Sequence, residues 1–164
     1  MTELDPDRKR LATLIDVQDG RPPVPLLDDA GIRALLLSRP RVAIVGASPN
    51  PARPSHGVLA SLLHAGYDVV PVNPAAETVL GLRCHPTLTD AVRASGPVDI
   101  VDVFRRADRC AEVAREAVAV GARCLWLQLG IADAEAGRIA HEAGLAVVMD
   151  RCTLIEHRRL VAPA

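Results

Sequence analysis

Arg41-Val-Ala-Ile-Val-Gly46-Ala-Ser-Pro-Asn-Pro-Ala-Arg53-Pro-Ser55-His-Gly57 runs from an apolar stretch into a glycine and on towards a helix start. A buried parallel strand that feeds a glycine turn and then a helix is the layout of a nucleotide site. Such a turn is expected to leave bare backbone N–H groups at the helix N-terminus, where the aligned peptide dipoles favour a pyrophosphate.

The chain downstream repeats the pattern. Runs at residues 42–45, 68–72, 98–103, 123–127 and 145–149 are short, β-branched and almost continuously apolar, as strands covered on both faces must be. The segments between them read as helices. Ser55 is expected to cap a helix ended by Gly66, Asp108 one ended by Gly121, and Asp133 one ended by Gly144. The pattern predicts an α/β fold: a three-layer, Rossmann-like, doubly wound parallel sheet of five main strands. Residues 80–84 suggest a short sixth strand and residues 87–94 a short helix. Pro71 cannot donate a ladder hydrogen bond, so its N–H side is expected to be free, near a sheet edge or at the strand's end.

Ahead of this unit, residues 4–17 read as an amphipathic helix with Leu4, Leu11, Leu14 and Ile15 on one face. A proline-rich link at residues 21–25 and a helix at residues 28–37 follow. Residues 1–40 are therefore expected to form a helical extension packed on a domain at residues 41–160. A length of 164 residues suits a single α/β core.

The bulk composition excludes several function classes. A net charge of −1 provides no basic field for a nucleic-acid backbone, and one Trp, one Tyr and one Phe make no stacking platform. No run approaches the ~18 apolar residues of a membrane span, and the mixed-charge N-terminus lacks a signal-peptide core, so a cytoplasmic protein is expected. Cys84, Cys110, Cys124 and Cys152 are widely spaced, and the five histidines fit no metal spacing. No Ser/His/acid order suggests a catalytic triad.

Function is expected at the carboxyl ends of the strands. Those ends carry Gly46, Ala47 and Ser48; Asn73 and Pro74; Phe104, Arg105 and Arg106; Gln128, Leu129 and Gly130; and Asp150, Arg151 and Cys152. An NAD site would want G-x-G-x-x-G and a carboxylate about 20 residues later. Gly46 has no glycine partner before Gly57, and the second strand ends in neutral Asn73, with Glu77 the nearest acid. Arg53 and Arg105 are candidate phosphate contacts, against the alternative of simple solvation. Phe104 is either a core residue or, at its strand's end, a contact to a base or a pantetheine arm, Trp126 is assigned to packing, and Cys152 is either an inert packing residue or a thiol contact.

Five stretches together resemble a known family: Val42-Ala-Ile-Val-Gly-Ala-Ser48, Gly66-Tyr-Asp-Val-Val-Pro-Val-Asn-Pro74, Val98-Asp-Ile-Val-Asp-Val-Phe-Arg105, Leu125-Trp-Leu-Gln-Leu-Gly130 and Val148-Met-Asp-Arg-Cys152. The chain is similar to the small stand-alone CoA-binding proteins, relatives of the N-terminal Rossmann domain of the succinyl-CoA synthetase alpha subunit. The resemblance implies coenzyme A or an acyl-CoA as ligand. Its phosphates would lie at Gly46–Ser48 and the helix start at Ser55, with Asn73, Pro74, Phe104, Arg105 and Gln128–Gly130 lining the rest. Relatives often carry a basic residue after the Asn-Pro pair; Ala75 stands there instead, which shifts that contact to Arg53 or Arg105. The loop after Cys152 also departs from the family, reading Thr153-Leu-Ile-Glu156.

Full synthetases of this lineage add a domain with a phosphorylated histidine and an ATP-grasp partner, neither of which is expected here. Three readings stay open: a non-catalytic CoA-binding module, the CoA-site component of a multi-subunit acyl-CoA synthetase, and an NAD-linked sensor. The protein partner, if any, is not legible.

Overall fold

A computed structural model describes residues 5–162. Five parallel strands form the sheet: β1 (Arg41–Val45), β2 (Asp68–Val72), β5 (Ile100–Val103), β6 (Cys124–Leu127) and β7 (Ala146–Val148), in the order β2-β1-β5-β6-β7. Strand order reverses between β1 and β5, which creates the crevice where such sheets hold ligands.

The alternation of side chains assigns each strand to two cores. Ala43, Val45, Val101, Val103, Leu125 and Leu127 pack on one face. Val42, Ile44, Ile100, Cys124 and Trp126 pack on the other. Both faces are covered by helices, so the strands are apolar apart from Arg41 and Asp68 at the starts of β1 and β2 and one buried interior position, Asp102.

The helices in chain order are α1 (Pro6–Gln18), α2 (Asp29–Leu37), α3 (Pro54–His64), α4 (Leu88–Ser95), α5 (Ala107–Ala119), α6 (Ala134–Glu142) and α7 (Thr153–Leu160). Asp28, Thr87 and Asp133 cap α2, α4 and α6 through side-chain oxygens. Two expected caps are different. Pro54 fixes the first turn of α3 and leaves Ser55 inside the helix, while α5 begins at Ala107, so Asp108 sits in its first turn and pairs with Arg106.

Three expectations for the flanking segments also change. Residues 80–84 do not add a sixth strand to the main sheet: β3 (Thr78–Val79) and β4 (Leu82–Arg83) form a separate antiparallel pair. On α1, Leu14 and Val17 pack on the core while Leu11 and Ile15 are exposed; Leu4 lies outside the described residues. The second helix is more than an external addition, since Ile32, Leu35 and Leu36 of α2 are buried in the core.

Both sheet margins are occupied. Beyond β2, His85 donates its N–H to Pro71 O and accepts from Asn73 N–H, on the side where Pro71 lacks a donor. Beyond β7, Leu27 N–H donates to Val147 O.

Candidate functional site

A cleft of about 710 Å³ opens where strand order reverses. Its wall brings together Gly46, Ser48, Arg53, Ser55, Asn73, Phe104, Arg105, Gln128, Leu129 and Cys152, all named from the sequence. Ala47 is fully buried beneath it. Pro74 faces a neighbouring depression that it shares with Arg105, and Gly130 and Glu77 lie outside the cleft.

The first turn is closed by its own chain. Gly46 and Ala47 N–H both donate to Val72 O, at 2.9 and 3.3 Å. Ser48 N–H donates to Ser55 Oγ at 3.0 Å, and Asn50 N–H to Ser48 Oγ at 3.1 Å. The expectation of bare amides at this turn therefore does not hold. Pro49, Pro51 and Pro54 have no N–H to offer, and the polar side chains of the loop close the turn instead. Asn73 works in the same way: Nδ2 donates to Ala47 O at 2.6 Å and Oδ1 accepts from Ala75 N–H at 2.9 Å.

Positive charge remains. Neither Arg53 nor Arg105 has an ion-pair or hydrogen-bond partner among the described residues, and both line the cleft, Arg53 directly ahead of α3. Arg10 of α1 joins them. No periodicity in the sequence pointed to Arg10, because nothing in the pattern says where a flanking helix crosses the sheet rim.

The cleft wall also carries exposed apolar side chains. Leu129 is 62 % exposed and Ile155 49 %, with Ile131 and Cys152 beside them. Exposed aliphatic side chains around a cleft suit the apolar part of a ligand.

Gln128 of the cleft wall belongs to a buried polar cluster that the sequence reading missed. Asp102, on β5 and 0 % exposed, accepts from Gln128 Nε2 at Oδ1 (2.7 Å) and from Thr153 Oγ1 at Oδ2 (2.9 Å). Gln128 Nε2 also donates to Thr153 Oγ1 at 3.0 Å. Burial pushes the Asp102 carboxyl up to about 7, against the opposing effect of the two hydrogen bonds. The available signal was an acid inside an otherwise apolar parallel strand. Asp150, named from the sequence at a strand end, has φ +56 and accepts Gly130 N–H at 2.7 Å and Gln18 Nε2 at 3.2 Å, tying the rim loop to α1.

The thiols divide by position. Cys84, Cys110 and Cys124 are buried, and desolvation pushes Cys110 up to about 12 and Cys124 higher still, so both stay protonated. Cys152 alone is partly exposed, on the cleft wall. Among the described residues no cluster of three or more His, Cys, Asp or Glu side chains is arranged to hold a metal ion. No helix is long and apolar enough to cross a membrane.

With this geometry in place, three comparisons bear on it. The sequence profile of a family described as CoA binding domain matches residues 40–158. The uncharacterized protein YneT of Bacillus subtilis is 38 % identical over 128 residues, which cover 78 % of this chain and 93 % of the relative. A hypothetical protein from Pyrococcus horikoshii superposes with a TM-score of 0.79 at 40 % identity, over 83 % of this chain and 94 % of that one. A dinucleotide-forming acetyl-coenzyme A synthetase from Ca. Korarchaeum cryptofilum superposes at 0.59 and 26 % identity, over 67 % of this chain but only 26 % of the synthetase.

Proposed function

We propose, from the premise that this chain belongs to the CoA binding domain family, that it holds coenzyme A or an acyl-CoA in the cleft at the β1/β5 switch point without performing chemistry on it. The observation that carries the reading is the mixed lining of that cleft: the side chains of Arg53 and Arg105, without a partner among the described residues, together with exposed Leu129 and Ile155. Coenzyme A asks for both, cations for its phosphates and aliphatic surface for a long, weakly polar arm.

The phosphates are placed against Arg53, Arg105 and the N-terminal dipole of α3, not in a nest of Gly46–Ser48 amides, since those amides are already engaged. The arm then runs past Phe104 and Gln128 towards Cys152. Neutral Asn73, whose amide is tied to Ala47 and Ala75, offers no carboxylate to a ribose, which counts against the NAD-linked reading. A second reading, the CoA-site component of a larger acyl-CoA synthetase, is favoured by the match to a quarter of the Korarchaeum synthetase.

Titration calorimetry with CoA, 3′-dephospho-CoA and NAD tests the proposal. Saturable CoA binding that weakens roughly tenfold in Arg105→Ala, about the worth of one charge-assisted phosphate contact, is the expected result. Binding of NAD with no binding of CoA refutes it. Recovery of an ATP-dependent ligase subunit bound to the chain from its native cells favours the second reading.

A further inference from the structure

The amide of Gln128 is oriented from below. Its Nε2 has two hydrogens, and both are engaged, one by Asp102 Oδ1 at 2.7 Å and one by Thr153 Oγ1 at 3.0 Å. Thr153 in turn gives its own hydrogen to Asp102 Oδ2 at 2.9 Å, so the cluster is consistent in one sense only when the carboxylate accepts twice. The remaining atom, Gln128 Oε1, has no partner among the described residues, and it is not among the enclosed side-chain atoms that lack one. Gln128 is 3 % exposed and lines the cleft, so the accessible part of this oxygen opens there.

A buried amide whose nitrogen is saturated and whose oxygen faces a binding cleft is a preset acceptor. We infer that Asp102 is a positioning residue which, through Gln128, fixes a hydrogen-bond acceptor on the cleft wall for an amide N–H of the ligand's pantetheine arm. The assignment to the arm follows from place: Gln128 is followed by exposed Leu129 and bonds Thr153, whose chain neighbour Cys152 also lines the cleft, so the acceptor sits among the less polar side chains of the wall. The inference rests on the CoA reading above.

A proton on Asp102 undoes the arrangement. A protonated carboxyl has a hydrogen to donate, Gln128 Oε1 becomes an eligible receiver, and the amide is no longer held one way round. The surroundings supply no competing charge. On β1 and β6 the register neighbours of Asp102 are Ile44 and Trp126; Cys124, further along β6, is a neutral thiol whose ionisation Asp102 opposes. On α7, Thr153 faces it, and the acid of that helix, Glu156, is paired with Arg151 and Arg159. No Lys, Arg or His among the described residues pairs with Asp102. Because burial places its titration near neutrality, the acceptor is present above about pH 7 and lost below it.

The experiment is calorimetric titration of the full chain with CoA and, separately, with 3′,5′-ADP, which keeps adenosine, the 3′-phosphate and the first 5′-phosphate but has no second 5′-phosphate and no arm. Wild type, Asp102→Asn and Thr153→Val are compared at pH 5.5 and 8.5, and thermal melts establish that each variant is folded. At pH 8.5, Asp102→Asn is expected to weaken CoA roughly tenfold, the worth of one hydrogen bond, and to leave 3′,5′-ADP unchanged. At pH 5.5 the difference between Asp102→Asn and wild type should shrink to within about twofold; the ligand's own titration cancels in that ratio. Thr153→Val, which keeps Asp102 and the volume, should fall between them and supplies the test if Asp102→Asn does not fold. An Asp102→Asn/wild-type ratio for CoA that is near unity, or the same at both pH values, overturns the inference while leaving CoA binding intact. Equal losses for CoA and 3′,5′-ADP overturn the assignment to the arm. Absence of CoA binding to wild type overturns the functional reading and this one with it.

Discussion

Gly46→Ala should damage this protein more than a glycine substitution of the same backbone type elsewhere, and the excess measures how tightly the first turn is locked to β5. Gly46 has φ +89, a region that an L side chain enters at a cost of about 1–3 kcal/mol. A Cβ there would also stand 2.5 Å from Phe104 O and 3.1 Å from Phe104 C, which are backbone atoms and cannot swing aside. Relief requires moving Phe104, whose N–H donates to Val45 O at 2.8 Å, so roughly another 1 kcal/mol of hydrogen bonding is at stake. Gly121→Ala is the control: φ is +76, but nothing lies within 4 Å of the added carbon. At about 2–4 °C per kcal/mol for a chain of this size, Gly46→Ala should lower Tm by roughly 10 °C and Gly121→Ala by about 4 °C. Thermal melts followed by circular dichroism decide it. If Gly46→Ala melts no lower than Gly121→Ala, the close approach of β1 and β5 at the cleft is not as described.

Asp102 makes stability depend on pH in the unusual direction for a carboxylate. With its folded pKa raised from the usual 3.8 to about 7, the native state keeps a proton that the unfolded chain has released, so this group's contribution falls as pH rises from about 4 to about 7 and is level above. The full difference amounts to roughly 4 kcal/mol, and urea melts at pH 4.5 and 8, which span most of the range, should show wild type losing roughly 3 kcal/mol to Asp102→Asn; a difference independent of pH refutes it. Trp126→Phe removes a fully buried indole whose N–H donates to Arg151 O at 2.8 Å, and should cost about 2–3 kcal/mol by urea melt. As the chain's one tryptophan, Trp126 should emit at short wavelength and resist iodide quenching in the folded protein. Asp150→Ala should lower stability by about 1–2 kcal/mol and speed hydrogen exchange at the Gly130 amide, which loses its acceptor; unchanged exchange there would show that the rim loop is held otherwise.

The sheet was legible because its strands must satisfy two faces at once. An apolar run such as Val42-Ala-Ile-Val45 has few alternatives once helices alternate with it, and Pro71 limited its strand to a sheet edge or a strand end, of which the structure shows the edge. The cleft wall was legible for a related reason, since polar and glycine residues collect where strands end. What stayed hidden depended on partners distant in sequence. Gln128 read as a residue facing ligand, yet its nitrogen serves Asp102, 26 positions away, and Thr153, 25 positions away. Ser55 read as a cap, but proline at the preceding position moved the helix start and freed its hydroxyl to hold Ser48 N–H. The side of α1 that faces inward was decided by where Leu14 and Val17 find the core, so Leu11 and Ile15 turned outward despite their spacing.

The strap from Leu27 and the crossing from His85 occupy the flanks of the central layer at Val147 and at Pro71–Asn73. Another chain that came to lengthen the sheet, as exposed flanks invite, would have to displace them first. Growth of the sheet into a larger assembly therefore sacrifices these hydrogen bonds, which association through helix and loop side chains leaves intact.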